Sequence, residues 1–157
     1  MTTLIIVLLL LTSPLVLAYI ISIIKGTELN VNKYALWGLG ICFIFFAIGH
    51  VVKAEGMVQM LPPWLPFRLS IIYFTGVIEV LIGIALFIPK LQVNAAKVAI
   101  VVFVVFFPAN IYAALNGTGL GGHQWGPIYL LIRFPLQLIL IAWAYFLCIK
   151  IYSKSNL

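Results

Sequence analysis

The chain has 157 residues, 65% of them hydrophobic and only 8% charged, with a mean hydropathy of +1.25. A soluble domain carries about 25% charged residues, so this composition excludes one and leaves a single compact integral membrane domain. The net charge of +6 does not indicate a nucleic-acid partner, because the lysines stand singly at the ends of apolar runs, where they anchor and orient spans in the lipid bilayer.

Five runs reach the ~20 residues that a membrane-spanning helix needs. They are 3–24, 34–53, 68–88, 96–115 and 128–149. The expected fold is therefore an all-α membrane protein with five transmembrane helices. The first run has no positive leader and no small-residue cleavage site, so it reads as a retained span. Pro14 predicts a kink in it. It carries no ionisable residue, which predicts a peripheral helix. Residues 25–33 and 89–95 form short connections. Residues 54–67 form a Pro-rich loop in which Pro62, Pro63 and Pro66 break any helix and Trp64 suits the interface. Residues 116–127 form a Gly-rich loop containing His123, read as a solvated side chain.

Orientation follows from the cations. Lys25, Lys33, Lys90, Lys97, Lys150 and Lys154 fall on one side, and only Lys53 and Arg68 on the other. The positive-inside rule makes the lysine-rich side cytoplasmic. The N-terminus is then outside, the C-terminus inside, and both long loops face outward, as expected for a bacterial cytoplasmic membrane. Cys42 and Cys148 lie in different runs without C-x-x-C spacing, which predicts neither a dithiol centre nor a metal site.

Four spans carry polar residues that hydrocarbon rejects: His50, Glu79, Asn110, and Arg133 with Gln137 one turn later. At 1.5 Å per residue they lie about 5, 17, 8, 8 and 14 Å from the outer ends of their runs, in the outer half or near the midplane. Ionisable residues at such depth mark ligand or proton sites by default. Side chains lean toward the N-terminus of their own helix. This predicts a shallow layer of His50, Asn110 and Arg133 over a deeper pair, Glu79 and Gln137. An unpaired Arg133 would cost roughly 2.5–3.5 kcal/mol. Glu79 is the only carboxylate inside a span, so it is the expected counter-ion, met directly or through water or His50. The competing reading is that this pair merely pins the bundle. Gly76 and Gly83 share a face with Glu79 and read as packing residues.

The stretch from Phe46 to Trp143 resembles DoxX-like small membrane proteins. The resemblance rests on Phe-Ala-Ile-Gly-His at 46–50, Leu-Pro-Pro-Trp-Leu-Pro at 61–66 and Thr-Gly-Val-Ile-Glu-Val-Leu-Ile-Gly-Ile-Ala-Leu at 75–86. Phe-Pro-Ala-Asn-Ile-Tyr at 107–112 and Arg-Phe-Pro-Leu-Gln at 133–137 complete the ordered set. It implies a four-helix bundle core of spans two to five, with span one an added N-terminal helix. It also implies a role beside quinone-linked sulfur oxidation, oxidative-stress complexes or membrane-protein assembly, with no catalytic motif to carry over.

Three functions follow as expectations. The first is a membrane redox-associated component that binds a quinone or a small sulfur or anionic ligand in an outward cavity. There Arg133 and His50 hold the ligand and Glu79 relays protons. No intrinsic cofactor or metal motif is visible in the sequence, so the redox centre belongs to the ligand or to a redox partner protein. The second is a non-enzymatic assembly or partner-binding subunit with a structural polar core. The third, a small-solute transporter, ranks last because the inner half of the spans is nearly devoid of polar groups.

Overall fold

A computed structural model describes residues 2–119 and 123–151. Residues 120–122 of the Gly-rich loop, the side chain of His123, and Lys154 lie outside the described residues. All regular structure among the described residues is helical: α1 (Thr2–Lys25), α2 (Val31–Val52), α3 (Ala54–Val58), α4 (Arg68–Phe87), α5 (Gln92–Leu115) and α6 (Leu130–Trp143). A 3-10 turn, His123–Tyr129, leads into α6, and a π-helical stretch, Ala144–Lys150, continues it. Five helices are long and apolar enough to cross a membrane: α1, α2, α4, α5 and the composite Trp125–Lys150. Helices satisfy their own backbone groups, which lipid requires of any spanning segment.

Helices α1, α2 and α5 begin earlier than the apolar runs suggest, whereas α4 begins at Arg68 as expected. Asn30 caps α2, its Oδ1 accepting the Lys33 N–H at 3.0 Å, so α2 starts at Val31 rather than 34. The segment 54–67 is not wholly loop, because α3 occupies Ala54–Val58. Its backbone runs on from α2, with Lys53 N–H bonded to Gly49 O and Met57 N–H to Lys53 O. Helix formers such as Ala54, Glu55 and Met57 precede the prolines, and the chain turns only afterwards. Pro14 does not end α1. The carbonyl of Leu10, deprived of a backbone donor by Pro14, receives the Ser13 hydroxyl at 3.5 Å.

The bundle is organised around α2. Half of its apolar spanning stretch is buried, against 17% for that of α1. Helix α1 packs on α2, as its lack of ionisable residues suggests, but it packs closely. A Cβ at Gly38 would overlap the Leu11 carbonyl oxygen, and the Cys42 thiol donates to Val7 O at 3.5 Å. On the other side α2 meets α4 through a pair of glycines. A Cβ on Gly40 or Gly83 would come within 3.2 Å of the other's carbonyl oxygen, so a larger residue at either would press the two helices apart by a few tenths of an ångström. Helix α5 closes the core: Phe103 packs on Phe43, ring centroids 5.1 Å apart, and on Phe46 at 6.5 Å.

The last span is tied to α2 by side-chain to backbone bonds. Trp143 Nε1–H donates to Ala35 O at 3.0 Å. Asn32 Nδ2 donates to Leu147 O at 2.7 Å and Cys148 O at 3.0 Å, both within the π-helical stretch. A π turn shifts carbonyls away from their usual α-helical partners, and here a side chain from a neighbouring helix takes two of them. Replacing Asn32 with Leu should lower stability by roughly 1–2 kcal/mol, since two carbonyls lose a donor in lipid. Reversible unfolding in bilayers measures this. Asn116→Ala, which removes one bond from an exposed side chain to its own helix, should change stability by a few tenths of a kcal/mol at most.

Candidate functional site

Glycine at position 76 builds the site. A Cβ there would lie 2.8 Å from the Cβ of His50, closer than side chains approach one another. Its absence leaves a notch in α4 that accepts the His50 ring from the last turn of α2. Glu79 stands one turn further along α4, on the same face as Gly76. His50 and Glu79 are both buried, at 9% and 5% exposure.

Three contacts fix the imidazole. Nδ1 lies 2.7 Å from the Ile72 carbonyl oxygen. A carbonyl can only accept, so Nδ1 carries a proton. The Thr75 hydroxyl oxygen lies 3.2 Å from Nδ1, while its own hydrogen can reach Ile71 O at 3.0 Å or Ile72 O at 2.9 Å. Nε2 faces Glu79 Oε2 at 3.2 Å. With Nδ1 protonated, two lone pairs would face each other across that gap unless one further proton is present. The pair therefore exists as imidazolium and carboxylate or as neutral imidazole and carboxylic acid. In either form its net charge is zero. The 3.2 Å contact is not aligned as a hydrogen bond, and Oε2 is buried with no hydrogen-bond partner among the described residues. We read it as an ion pair that leaves acceptor capacity on Oε2.

Of the routes expected between Glu79 and Arg133, the direct ion pair does not form among the described residues, where the carboxylate meets His50. The reason lies in the packing. Helix α4 packs chiefly on α2 and α5, whereas α6 packs on α5. The notch at Gly76 then brings His50 to Glu79 first. Arg133 remains within electrostatic range of Tyr129 and Glu79, but its Nε is buried with no hydrogen-bond partner among the described residues. The predicted layering also fails for His50 and Glu79, which touch. His50 stands in the last turn of α2, which ends at Val52, and each side chain leans toward the N-terminus of its own helix, which lets the two meet across the α2–α4 seam.

Asn110 and Gln137 behave differently. Gln137 Nε2 donates to Phe103 O at 2.5 Å, joining α6 to α5. Asn110 Nδ2 donates to Phe106 O at 3.0 Å within its own helix, two residues beyond the Pro108 interruption. Both are buried and both bond backbone carbonyls, a packing arrangement rather than an open ligand shell.

Two residues absent from the sequence reading belong to the site. Thr75 contacts His50, and Tyr129 lies in the electrostatic environment of Arg133. Each stands four residues before a recognised member, Glu79 or Arg133, and that spacing was the available signal.

Two open grooves flank the bundle. One, of 440 Å³ between α5 and α6, is lined by Phe107, Ile111, Leu130, Leu131, Phe134 and Pro135. The other, of 390 Å³, is lined by Val51–Gly56 and Tyr73. The five predicted polar residues line neither. Above the cluster the two long loops meet. Gly119, at φ +90°, lies against Met60, and a Cβ there would overlap that side chain. Among the described residues no three of His, Cys, Asp and Glu gather in a way that could hold a metal.

His50→Leu should strand a buried carboxyl and cost roughly 3–5 kcal/mol, whereas His50→Leu combined with Glu79→Leu should recover more than half of that. Unfolding of the single and double variants in bilayers measures the difference. Equal losses in both would show that the contact contributes nothing beyond packing.

No curated protein and no solved structure matches the chain. The profile of DUF8561, a domain of unknown function, matches residues 39–148. The match runs from the middle of α2 to the π-helical stretch and leaves out α1. Since it covers well over half of the sequence, the chain belongs to the DUF8561 family.

Proposed function

We propose that this protein is a membrane redox-associated component that binds a quinone or a small sulfur or anionic ligand and exchanges a proton with it at the His50–Glu79 pair. The observation that supports this reading most directly is the pair itself. It is buried, its Nε2 and Oε2 lie 3.2 Å apart, and its imidazole is fixed by the Ile72 carbonyl. Such a pair can shift its proton between two atoms without changing the net charge held in hydrocarbon, which suits a relay. Arg133 supplies a positive potential nearby. Electrons come from the ligand or from a redox partner protein. The ordered resemblance to DoxX-like proteins points the same way, while DUF8561 membership carries no activity with it.

A second reading, a non-enzymatic assembly or partner-binding subunit, is favoured by Asn110 and Gln137, whose amides are bonded to backbone. Infrared difference spectra in lipid nanodiscs separate the two. Adding decylubiquinone or thiosulfate should shift a carboxyl band in the wild type, and that band should be missing in Glu79→Gln. An unchanged carboxyl region, together with a co-purifying partner that Glu79→Gln still recruits, would select the second reading.

The same reading places the protein in a bacterial cytoplasmic membrane with the N-terminus outside. Lys25, Lys33, Lys90, Lys97 and Lys150 support this, lying at one end of the spans or in the connections there. A fluorescent protein fused to the C-terminus should fluoresce and an alkaline phosphatase fused there should stay inactive. The reverse result would invert the topology.

A further inference from the structure

The chain bends where α2 meets α3. Lys53 stands between the two helices with φ −123° and ψ +25°, outside helical values, and α3 then packs on α4. The 390 Å³ cleft lies at that bend, between Val51–Gly56 and Tyr73 of α4. Its lining carries a cation, Lys53, a carboxylate, Glu55, and a phenol, Tyr73, whereas the groove between α5 and α6 is lined by apolar side chains. It contains neither His50 nor Glu79, so it stands apart from the buried pair.

The two charges of the cleft are unspent. Lys53 and Glu55 are both exposed, and among the described residues the one ion pair is His50–Glu79. Residues two apart in a helical stretch do not face each other, so neither neutralises the other. The level of the cleft in the bilayer follows from its neighbours. Val51 and Val52, both 68% exposed, end the spanning helix Val31–Val52 and face acyl chains. The connection beyond Lys53 exposes Trp64 and Phe67, aromatic side chains suited to the head-group layer. The cleft therefore straddles the boundary between the two layers.

We propose that this cleft binds a zwitterionic phospholipid with a primary ammonium, of the phosphatidylethanolamine type. Lys53 takes the phosphate, Glu55 takes the ammonium, and the acyl chains lie along Val51 and Val52. Tyr73 offers a hydroxyl to the same phosphate. Order along the chain carries the assignment: two exposed valines, then a cation, then a carboxylate. Acyl chain, phosphate and ammonium follow one another in the same order along the lipid. A phosphatidylglycerol brings the phosphate but no cation for Glu55. A phosphatidylcholine brings a cation without an N–H to donate. Free phosphoethanolamine brings both charges but no chain to bury on the valines.

Native mass spectrometry of the detergent-purified full chain, titrated with dioleoyl lipids of the three head groups, tests this. The ethanolamine lipid should bind about three- to fivefold tighter than either of the others, the worth of one exposed charge pair. Glu55→Gln should lower it to the level of the choline lipid, and Glu55→Lys should make the glycerol lipid the preferred one. Lys53→Gln should weaken all three. Both positions are exposed, and unchanged circular dichroism reports that each variant is folded. Phosphoethanolamine equimolar with the lipid should leave the bound lipid in place. Equal binding of the three lipids by the wild type, or preference for the glycerol lipid, would overturn the proposal. So would a preference that survives Glu55→Gln, or binding unaffected by Lys53→Gln. Displacement by equimolar phosphoethanolamine would assign the cleft to a soluble zwitterion and overturn the lipid as its occupant.

Discussion

The close approach of α2 and α4 is the constraint on which the rest depends. It is permitted by Gly40 and Gly83 near one end of the seam and by Gly76 near the other. In lipid there is no hydrophobic force to press helices together, so small residues that allow backbone contact act in its place. Because that seam is tight, the side chains within it have fixed neighbours. His50 can enter α4 only at position 76, and Ile72 and Glu79 then stand on either side of its ring. An ion pair in hydrocarbon is costly to assemble unless packing supplies the geometry, and here the glycines supply it.

A second consequence concerns the outer helix. Helix α1 contributes Val7 and Leu11 to the same core as Phe43 and Phe103, yet it carries no polar residue toward the site. Its packing is backbone-close at Gly38, which buttresses the side of α2 opposite α4. The family match also begins inside α2. Support of α2 and the chemistry of His50 are thus separable tasks, performed by different faces of one helix.

Much of this was legible in the sequence, for physical reasons that also explain what was not. Five apolar runs of spanning length leave little choice of fold, since only helices and closed barrels satisfy the backbone in lipid. The polar residues were legible because hydrocarbon penalises each of them individually. Their pairing was not. The argument from charge joins Arg133 to Glu79 as the strongest opposite charges, but it cannot see that α5 lies between α4 and α6. Gly76 was legible as a packing residue, and only the helix register shows that what it accommodates is a histidine. Helix α3 and the π-helical stretch were missed because apolar periodicity does not report a helix that continues past its membrane end. Nor does it report a change from four-residue to five-residue hydrogen bonding.

The polar residues of the spans divide by what their hydrogen bonds reach. Asn110 and Gln137 donate to the Phe106 and Phe103 carbonyls of α5. Their amides are held by backbone, and their presence in hydrocarbon is explained without a ligand. Glu79 and Arg133 are of the other kind. The His50 contact neutralises the carboxylate but leaves Oε2 without an aligned donor, and nothing described accepts from Arg133 Nε. A bundle selected only for stability would gain by exchanging these two for apolar side chains of similar volume, because a buried polar network that is half satisfied is worse than none. Their unsatisfied atoms are a stronger physical reason to look for function at these two residues than in the apolar groove between α5 and α6, where the lining side chains ask for nothing that lipid does not already supply.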